Sequence, residues 1–365
     1  MPHAALETSG GVFRQPGEKS VVIDVKDPRG KAAVDRLLES TDVLVENFAP
    51  GTMARLGFGQ EELLARLPRL VYLSLKGFMA GPYQDRIALD EVVQMMSGLA
   101  YMTGPSGTPL RAGASVIDIM TGVYGALGTI LALRERDASG RGQVVSSALF
   151  ETAAFVMGHH LAYAAASREP VPPMPERVSA WAVYHQFRTA DDQGVFIGVT
   201  SDKQWSRFCR EFGRPDLAED PRLASNNDRI AQREWLLPEL RRLVGTLTLA
   251  AVVDACERAD LPFSPIARPE DLFDDPQLVA GGSLLDTVFP DGTRTRLPAQ
   301  PLALDGDRPV LRSNPPRLGE HTAEVLLAAG YDRSEIDELA AAGVIVTSER
   351  QTAPTEAAVG DGGGR

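Results

Sequence analysis

The sequence has 365 residues, of which 44% are hydrophobic and 24% charged, and its net charge is −12. At roughly 100–200 residues per domain the length allows two or three domains, and the composition excludes a wholly disordered chain. The acidic balance excludes a nucleic-acid coat or a polybasic membrane binder, because phosphates would meet an average surface of their own sign.

Residues 1–19 are polar, carry no periodic pattern and read as flexible. Ser20–Lys26 is rich in β-branched residues and predicts a strand. Asp27-Pro28 then opens a helix over Gly30–Ser40, with Ala33, Val34, Leu37 and Leu38 on one face. Asp42–Phe48 predicts a second strand with a polar tip, followed by Pro50-Gly51. Met53, Leu56, Leu63, Leu64 and Leu67 mark helical turns before a third strand at Val71–Leu75. This alternation predicts a parallel sheet that includes all three strands.

Leu89–Ala100 reads as one helix, and Gly104–Gly113 as a loop. A long apolar helix is predicted over Asp118–Arg134. Its small residues, Gly122, Gly125, Ala126 and Gly128, allow a close neighbour. Gly140-Arg141-Gly142 forms a turn before a strand at Gln143–Leu149 and a helix at Glu151–Ala166. Proline-rich residues 171–182 read as a stiff linker.

Beyond the linker, Val183–Arg188 and Val195–Val199 predict paired strands, followed by helices near Asp202–Phe212, Arg229–Val244 and Leu249–Ala259. The predicted fold class is therefore α/β, with a Rossmann-like parallel-sheet domain and a second, smaller α+β domain. The first part of the large domain spans 20–170 and the small domain spans 183–288. Residues 289–350 return to pack two helices, Glu320–Ala329 and Ser334–Ala342, on the large domain. Residues 351–365 read as a disordered tail. No apolar run reaches the ~18 residues of a membrane span, and no signal peptide is read at Met1-Pro2-His3-Ala4. Cys209 and Cys256 form no disulfide framework. A reducing, cytoplasmic setting without membrane or nucleic-acid partners follows as the expectation.

The chemistry is narrowed by elimination. No P-loop, hydrolase elbow, dinucleotide fingerprint or zinc spacing occurs, and no metal site is expected. His159-His160 lies in an apolar helix whose adjacent side chains diverge. Carboxylates remain. Asp118 stands at the start of the long helix, where the dipole and free N–H groups favour the ionised form. It reads either as an N-cap or as a nucleophile aimed at a cleft. Asp90-Glu91 is a second acidic pair, read as a cap.

Taken together, the runs SVVIDVKDPRG, TDVLVENFAPGTMARLGFG, LVYLSLKGF, MSGLAYMTG, GASVIDIMTGVYGALGTILALRER, GRGQVVSSALFE and LGEHTAEVL resemble the class III (CaiB/BaiF-type) CoA-transferases, relatives of the α-methylacyl-CoA racemases. The runs cover most of residues 20–348, and SAWAVYHQFRTADDQGVFIGVTSDKQW is similar to the glutarate/succinate-type members. The resemblance implies an interlocked dimer, either a homodimer or a heterodimer with a related subunit. It also implies that acyl-CoA and a small carboxylic acid are the substrates, with no tightly bound cofactor. Asp118 is the implied catalytic aspartate, which carries the acyl group and then CoA in covalent linkage. Ile23, Lys26, Asn47, Phe48, Ala49 and Arg55 are the implied CoA contacts, and Glu91 an acidic position near the active site. Lys26 and Arg55 suit phosphates, and Phe48 suits adenine.

Leu89 stands where the racemases place a proton-shuttling histidine, which disfavours racemisation. The family's opening strand–helix unit would lie before residue 20. Its absence here leaves three readings: a misassigned start, a strand supplied by a partner, or a degraded copy. A non-catalytic CoA-binding subunit is the competing function. Arg177, His185 or Arg188 could pair with the distal carboxylate of a short dicarboxylate such as succinate.

Overall fold

The structure is a computed structural model that describes residues 18–177 and 179–347. The tail from residue 351 and most of the N-terminal stretch predicted to be flexible lie outside these residues. The chain forms two compact units. One is drawn from the chain up to Glu176 and from Leu285 onward, the other is Arg177–Leu284.

The first unit begins with β1 (Val22–Ile23), α1 (Pro28–Leu38), β2 (Val43–Glu46), α2 (Thr52–Arg55), α3 (Gln60–Arg66) and β3 (Val71–Lys76). It continues through α4 (Asp90–Met96), α5 (Leu99–Thr103), α6 (Val116–Ser139), β4 (Val144–Ala148), α7 (Leu149–Val156) and α8 (Gly158–Ser167). The sheet is parallel with order β2-β3-β4. Val71, Tyr72, Leu73 and Ser74 of the central strand are all buried, as in a strand covered on both faces.

The predicted Ser20–Lys26 strand is not part of that sheet. β1 instead pairs antiparallel with β10 (Ile345–Val346) near the other end of the sequence. The donors and acceptors of residues 20–24 are taken by that region. Asp24 N–H donates to Val344 O at 2.7 Å, Val22 N–H to Thr322 Oγ1 at 3.1 Å, and His321 N–H to Ser20 O at 2.9 Å. Asp27 then caps α1 by accepting from Arg29 N–H. The predicted Leu89–Ala100 helix breaks at Gly98, whose φ of +85° starts α5. The predicted Glu151–Ala166 helix divides at Met157.

α6 runs antiparallel to the sheet and packs on β3 and β4. A Cβ on Gly125 would lie 3.0 Å from Leu75, and one on Gly128 would lie 2.7 Å from Val145, so these two glycines set the approach, whereas Gly122 has nothing within 4 Å. Ser147 Oγ of β4 donates to Thr121 O of α6 at 2.9 Å, which fixes the start of α6 at the carboxyl ends of the strands. Contrary to expectation, α6 is long and apolar enough to cross a membrane by length and composition. The reason is that its apolar residues occupy two faces. One meets the sheet; the other leaves Ile119, Val123, Leu127, Ile130 and Leu131 exposed.

The turn between α6 and β4 is sterically tight. A Cβ on Gly142 would lie 1.9 Å from Leu70 O, a backbone atom with no room to move. Gly142→Ala is expected to cost at least about 2 kcal/mol, read as a lower urea midpoint; an unchanged midpoint would contradict this packing.

The second unit holds β5 (Val183–Arg188), β6 (Gly194–Val199), α9 (Asp202–Glu211), α10 (Pro215–Glu219), α11 (Asn226–Ala231), α12 (Arg233–Val244), α13 (Leu249–Ala259) and β7 (Phe263–Pro265). Its sheet is antiparallel with order β5-β6-β7, and β7 is a strand the sequence reading missed. One apolar core, including Phe187, Ile197, Phe208 and Leu240, binds sheet and helices together, and Cys209 and Cys256 are buried in it as free thiols. After α14 (Pro276–Ala280) the chain forms the hairpin β8 (Leu284–Val288) and β9 (Arg294–Pro298). α15 (Thr322–Ala328) and α16 (Arg333–Ala341) then pack Leu326, Ile336 and Leu339 against Ala33 of α1.

Candidate active site

The start of α6 is capped from outside its own sequence. Ser115 makes no side-chain cap bond. Instead Asp90, the first residue of α4, accepts at Oδ2 from the N–H of Ile117 at 2.9 Å and of Asp118 at 3.2 Å. Asp90 is buried, and its Oδ1 accepts from Gln94 Nε2 and, at 3.4 Å, from the Arg111 guanidinium. Buried Gln94 accepts at Oε1 from Ala112 N–H at 2.8 Å, and Arg111 also donates to Ser115 Oγ at 3.3 Å. The short helix α4, the loop before α6 and the first turn of α6 itself thus converge on one carboxylate.

This corrects the reading of Asp90 and removes the cap alternative for Asp118. Asp90 caps α6 rather than its own helix. Asp118 is freed from capping: it lies in the first turn of α6, exposed, with no hydrogen bond to its carboxyl among the described residues. The dipole was expected to favour its ionised form. Partial burial and then the charge of Asp90 instead push its pKa above the ordinary aspartate value, with Arg111 opposing them. Glu91 is exposed beside Asp90 in the first turn of α4. Leu89, the residue in the histidine position of the racemases, is 66% exposed and carries no titratable group.

Beyond the carboxyl ends of β2 and β3 lies a cavity of about 600 Å³. The crevice at this end of a parallel sheet is where ligands bind in open α/β folds. Phe48 and Ala49 line it, as do Glu46, Tyr72, Ser74 and Lys76. Glu46 is buried and accepts from Ser74 Oγ and, at 2.9 Å, from Phe48 N–H, so it anchors the tip after β2. Burial and the Glu46 charge push the Tyr72 phenol up to about 12, so it stays protonated as a donor facing the cavity.

The structure brings together only some of the residues singled out in the sequence. Phe48, 56% exposed, and Ala49 belong to the cavity. Asn47 is exposed at the same tip. Arg55 lies at the rim: it donates to Thr52 Oγ1 at 2.8 Å, and its guanidinium rests against Gly51, which lines the cavity. Ile23 and Lys26 flank Val25, which shares a smaller apolar pocket of about 190 Å³ with Phe48 and Val45. Asp118 and Glu91 lie outside the lining of both cavities. The charged lining of the larger one is Glu46, Glu61, Glu62 and Asp85 against Lys76 alone.

In the second unit His185 accepts from Arg241 at 2.8 Å, Arg188 pairs with Asp192 at 3.3 Å, and Arg177 is exposed. The rings of His159 and His160 do meet, with centroids 3.8 Å apart, contrary to the expected divergence. Sequence reasoning passed over Gln94, Tyr72 and the cap made by Asp90. The four-residue spacing of Asp90 and Gln94 on a helix was the available signal.

The model of CoA-transferase family III matches residues 6–322. A succinate–glutarate CoA-transferase of Agrobacterium fabrum is 35% identical over 322 residues, covering 85% of this chain and 78% of that protein. The β subunit of a succinyl-CoA–L-malate CoA-transferase of Chloroflexus aurantiacus is 31% identical, covering 89% and 82%. The crystal structure of a CaiB/BaiF family protein from Brucella suis superposes with a TM-score of 0.78 at 29% identity, covering 86% of this chain and 82% of that one.

Proposed function

The chain belongs to CoA-transferase family III and is an enzyme of that class, and from that premise we propose that it moves CoA from a dicarboxylic acyl-CoA to a second carboxylic acid through Asp118. The observation that carries the assignment to Asp118 is its release from capping. Asp90 occupies the N–H groups of Ile117 and Asp118, so the Asp118 carboxylate stands at the carboxyl edge of the parallel sheet without a competing hydrogen bond among the described residues.

Carboxylate attack on the thioester carbonyl forms a mixed anhydride and releases CoA thiolate. The thiolate attacks the aspartyl carbonyl of that anhydride, which frees the donor acid and leaves an aspartyl-CoA thioester. The acceptor carboxylate attacks that thioester, and the reverse sequence yields the new acyl-CoA and free Asp118. Phe48 offers a stacking face for the adenine of the substrate, and Arg55 a guanidinium for its phosphates. The acidic lining of the cavity supports its use by neutral parts of the substrate rather than by the phosphates. A racemase would need a proton carrier at Leu89, which leucine cannot supply. Succinyl-CoA as donor is supported by the name of the Chloroflexus relative, and a succinyl group by the succinate in that of the Agrobacterium one.

The exposed apolar face of α6, extended by Phe155 of α7 against Tyr124, supports burial against a second chain of the same kind. Ile130→Glu at its centre is expected to convert a dimer into a monomer in sedimentation. A dimer that persists would place the interface elsewhere.

The function is tested by mixing the purified protein with succinyl-CoA and candidate acids and reading acyl-CoA species by mass spectrometry. New acyl-CoA that depends on the acceptor is expected. A protein that binds CoA yet forms none would support the subunit reading and reject this one.

A further inference from the structure

Among the described residues of the second unit, nine arginines have an acidic side chain in ion-pair contact: Arg188, Arg207, Arg210, Arg214, Arg222, Arg229, Arg242, Arg258 and Arg268. Arg233 and Arg241 have no such carboxylate among the described residues. They lie eight residues apart on α12, close to two whole turns, and so share a face of the helix.

That face meets β5, where His185 alternates with buried Val183 and Phe187 on the side of the sheet that faces the core. The imidazole packs edge-on against the Phe187 ring at 5.5 Å and accepts at Nε2 from Arg241 at 2.8 Å. A guanidinium can only donate, so the His185 proton resides on Nδ1. Burial first, then the charges of Arg241 and Arg233, hold His185 uncharged by pushing its pKa down.

We propose that Arg241, Arg233 and His185 form an anion-binding notch that takes an oxyanion, either a carboxylate or a phosphate group. A guanidinium presents a planar fork of donors matched to two oxygens of one anion, and the neutral imidazole fixes Arg241 without a charge of its own. An anion there would supply the countercharge that acidic side chains give to the nine arginines named above. The notch lies within one compact unit, and its binding is read without turnover, so it stands or falls separately from CoA transfer.

The test is a titration of the full chain with succinate in one arm and inorganic phosphate in the other, followed by NMR of the histidine ring resonances at constant ionic strength. At least one anion is expected to move the His185 resonances saturably and to raise its pKa, because an added negative charge offsets Arg241 and Arg233. Saturation by succinate alone assigns the notch to a carboxylate ligand, and saturation by phosphate alone to a phosphate group. Arg241→Met is expected to weaken binding about tenfold or more, and Arg233→Met to weaken it as well; the second variant keeps the test open should the first not fold. No saturable shift with either anion, or unchanged affinity in a folded variant, would overturn the proposal.

Discussion

Asp118→Ala is expected to lower kcat/KM for CoA transfer by about 10⁴-fold or more, as removal of a covalent nucleophile does, while the protein stays folded. The second half of this expectation follows from the geometry. The Asp118 carboxyl is exposed and holds no hydrogen bond among the described residues, so its deletion strands no partner there. Its pKa is raised in the fold. A raised acid contributes stability that is present below its unfolded pKa and lost as pH rises through its folded pKa. At neutral pH the ionised side chain therefore adds nothing to stability, and the alanine variant should unfold at the same urea concentration or slightly above it. A variant with lost activity and a lowered midpoint would instead show that Asp118 is structural.

Asp90→Ala should have the opposite signature, with a large loss of stability. One buried carboxylate accepts from two backbone N–H groups of α6, from Gln94 and from Arg111. Its removal leaves those N–H groups and a buried amide without their acceptor, at about 2–4 kcal/mol by analogy with other broken buried charge networks. Asp90→Asn separates charge from shape. It keeps an acceptor oxygen but deletes the negative charge that helps raise the Asp118 pKa, and it leaves Arg111 opposed by burial alone. Catalysis needs the ionised form of Asp118, so kcat/KM falls as pH drops through that pKa. In Asp90→Asn this acid limb should move to lower pH. A limb that stays in place, or moves up, would contradict the coupling between the two carboxylates.

The central parallel strand was legible because Val71–Leu73 is a short apolar run between turn signals, a pattern that fits a strand covered on both faces. α6 was legible from its length, and its close approach to the sheet from Gly125 and Gly128. Ser20–Lys26 was legible as extended chain but not in its pairing. Its partner, Ile345–Val346, lies more than 300 residues away, and local pattern carries no information about such a partner. Gly98 and Met157 break helices whose apolar spacing runs on without interruption, so periodicity alone joined them. The candidate site divides in the same way. Asp118 was visible as an acid at a helix start, and that position alone favours a cap. Only the fold shows that Asp90, 28 residues earlier, already fills that role. Phe48 and Ala49 were placed at a ligand site by resemblance and line a cavity. Arg241 was overlooked because its partner, His185, is reached only through sheet-on-helix packing.

The most direct test of the central claim is peptide mass spectrometry of the protein incubated with succinyl-CoA and trapped with hydroxylamine or borohydride. The mechanism predicts modification on the peptide containing Asp118, and at that residue. Modification at Glu91 or elsewhere, or none while new acyl-CoA accumulates, would contradict it.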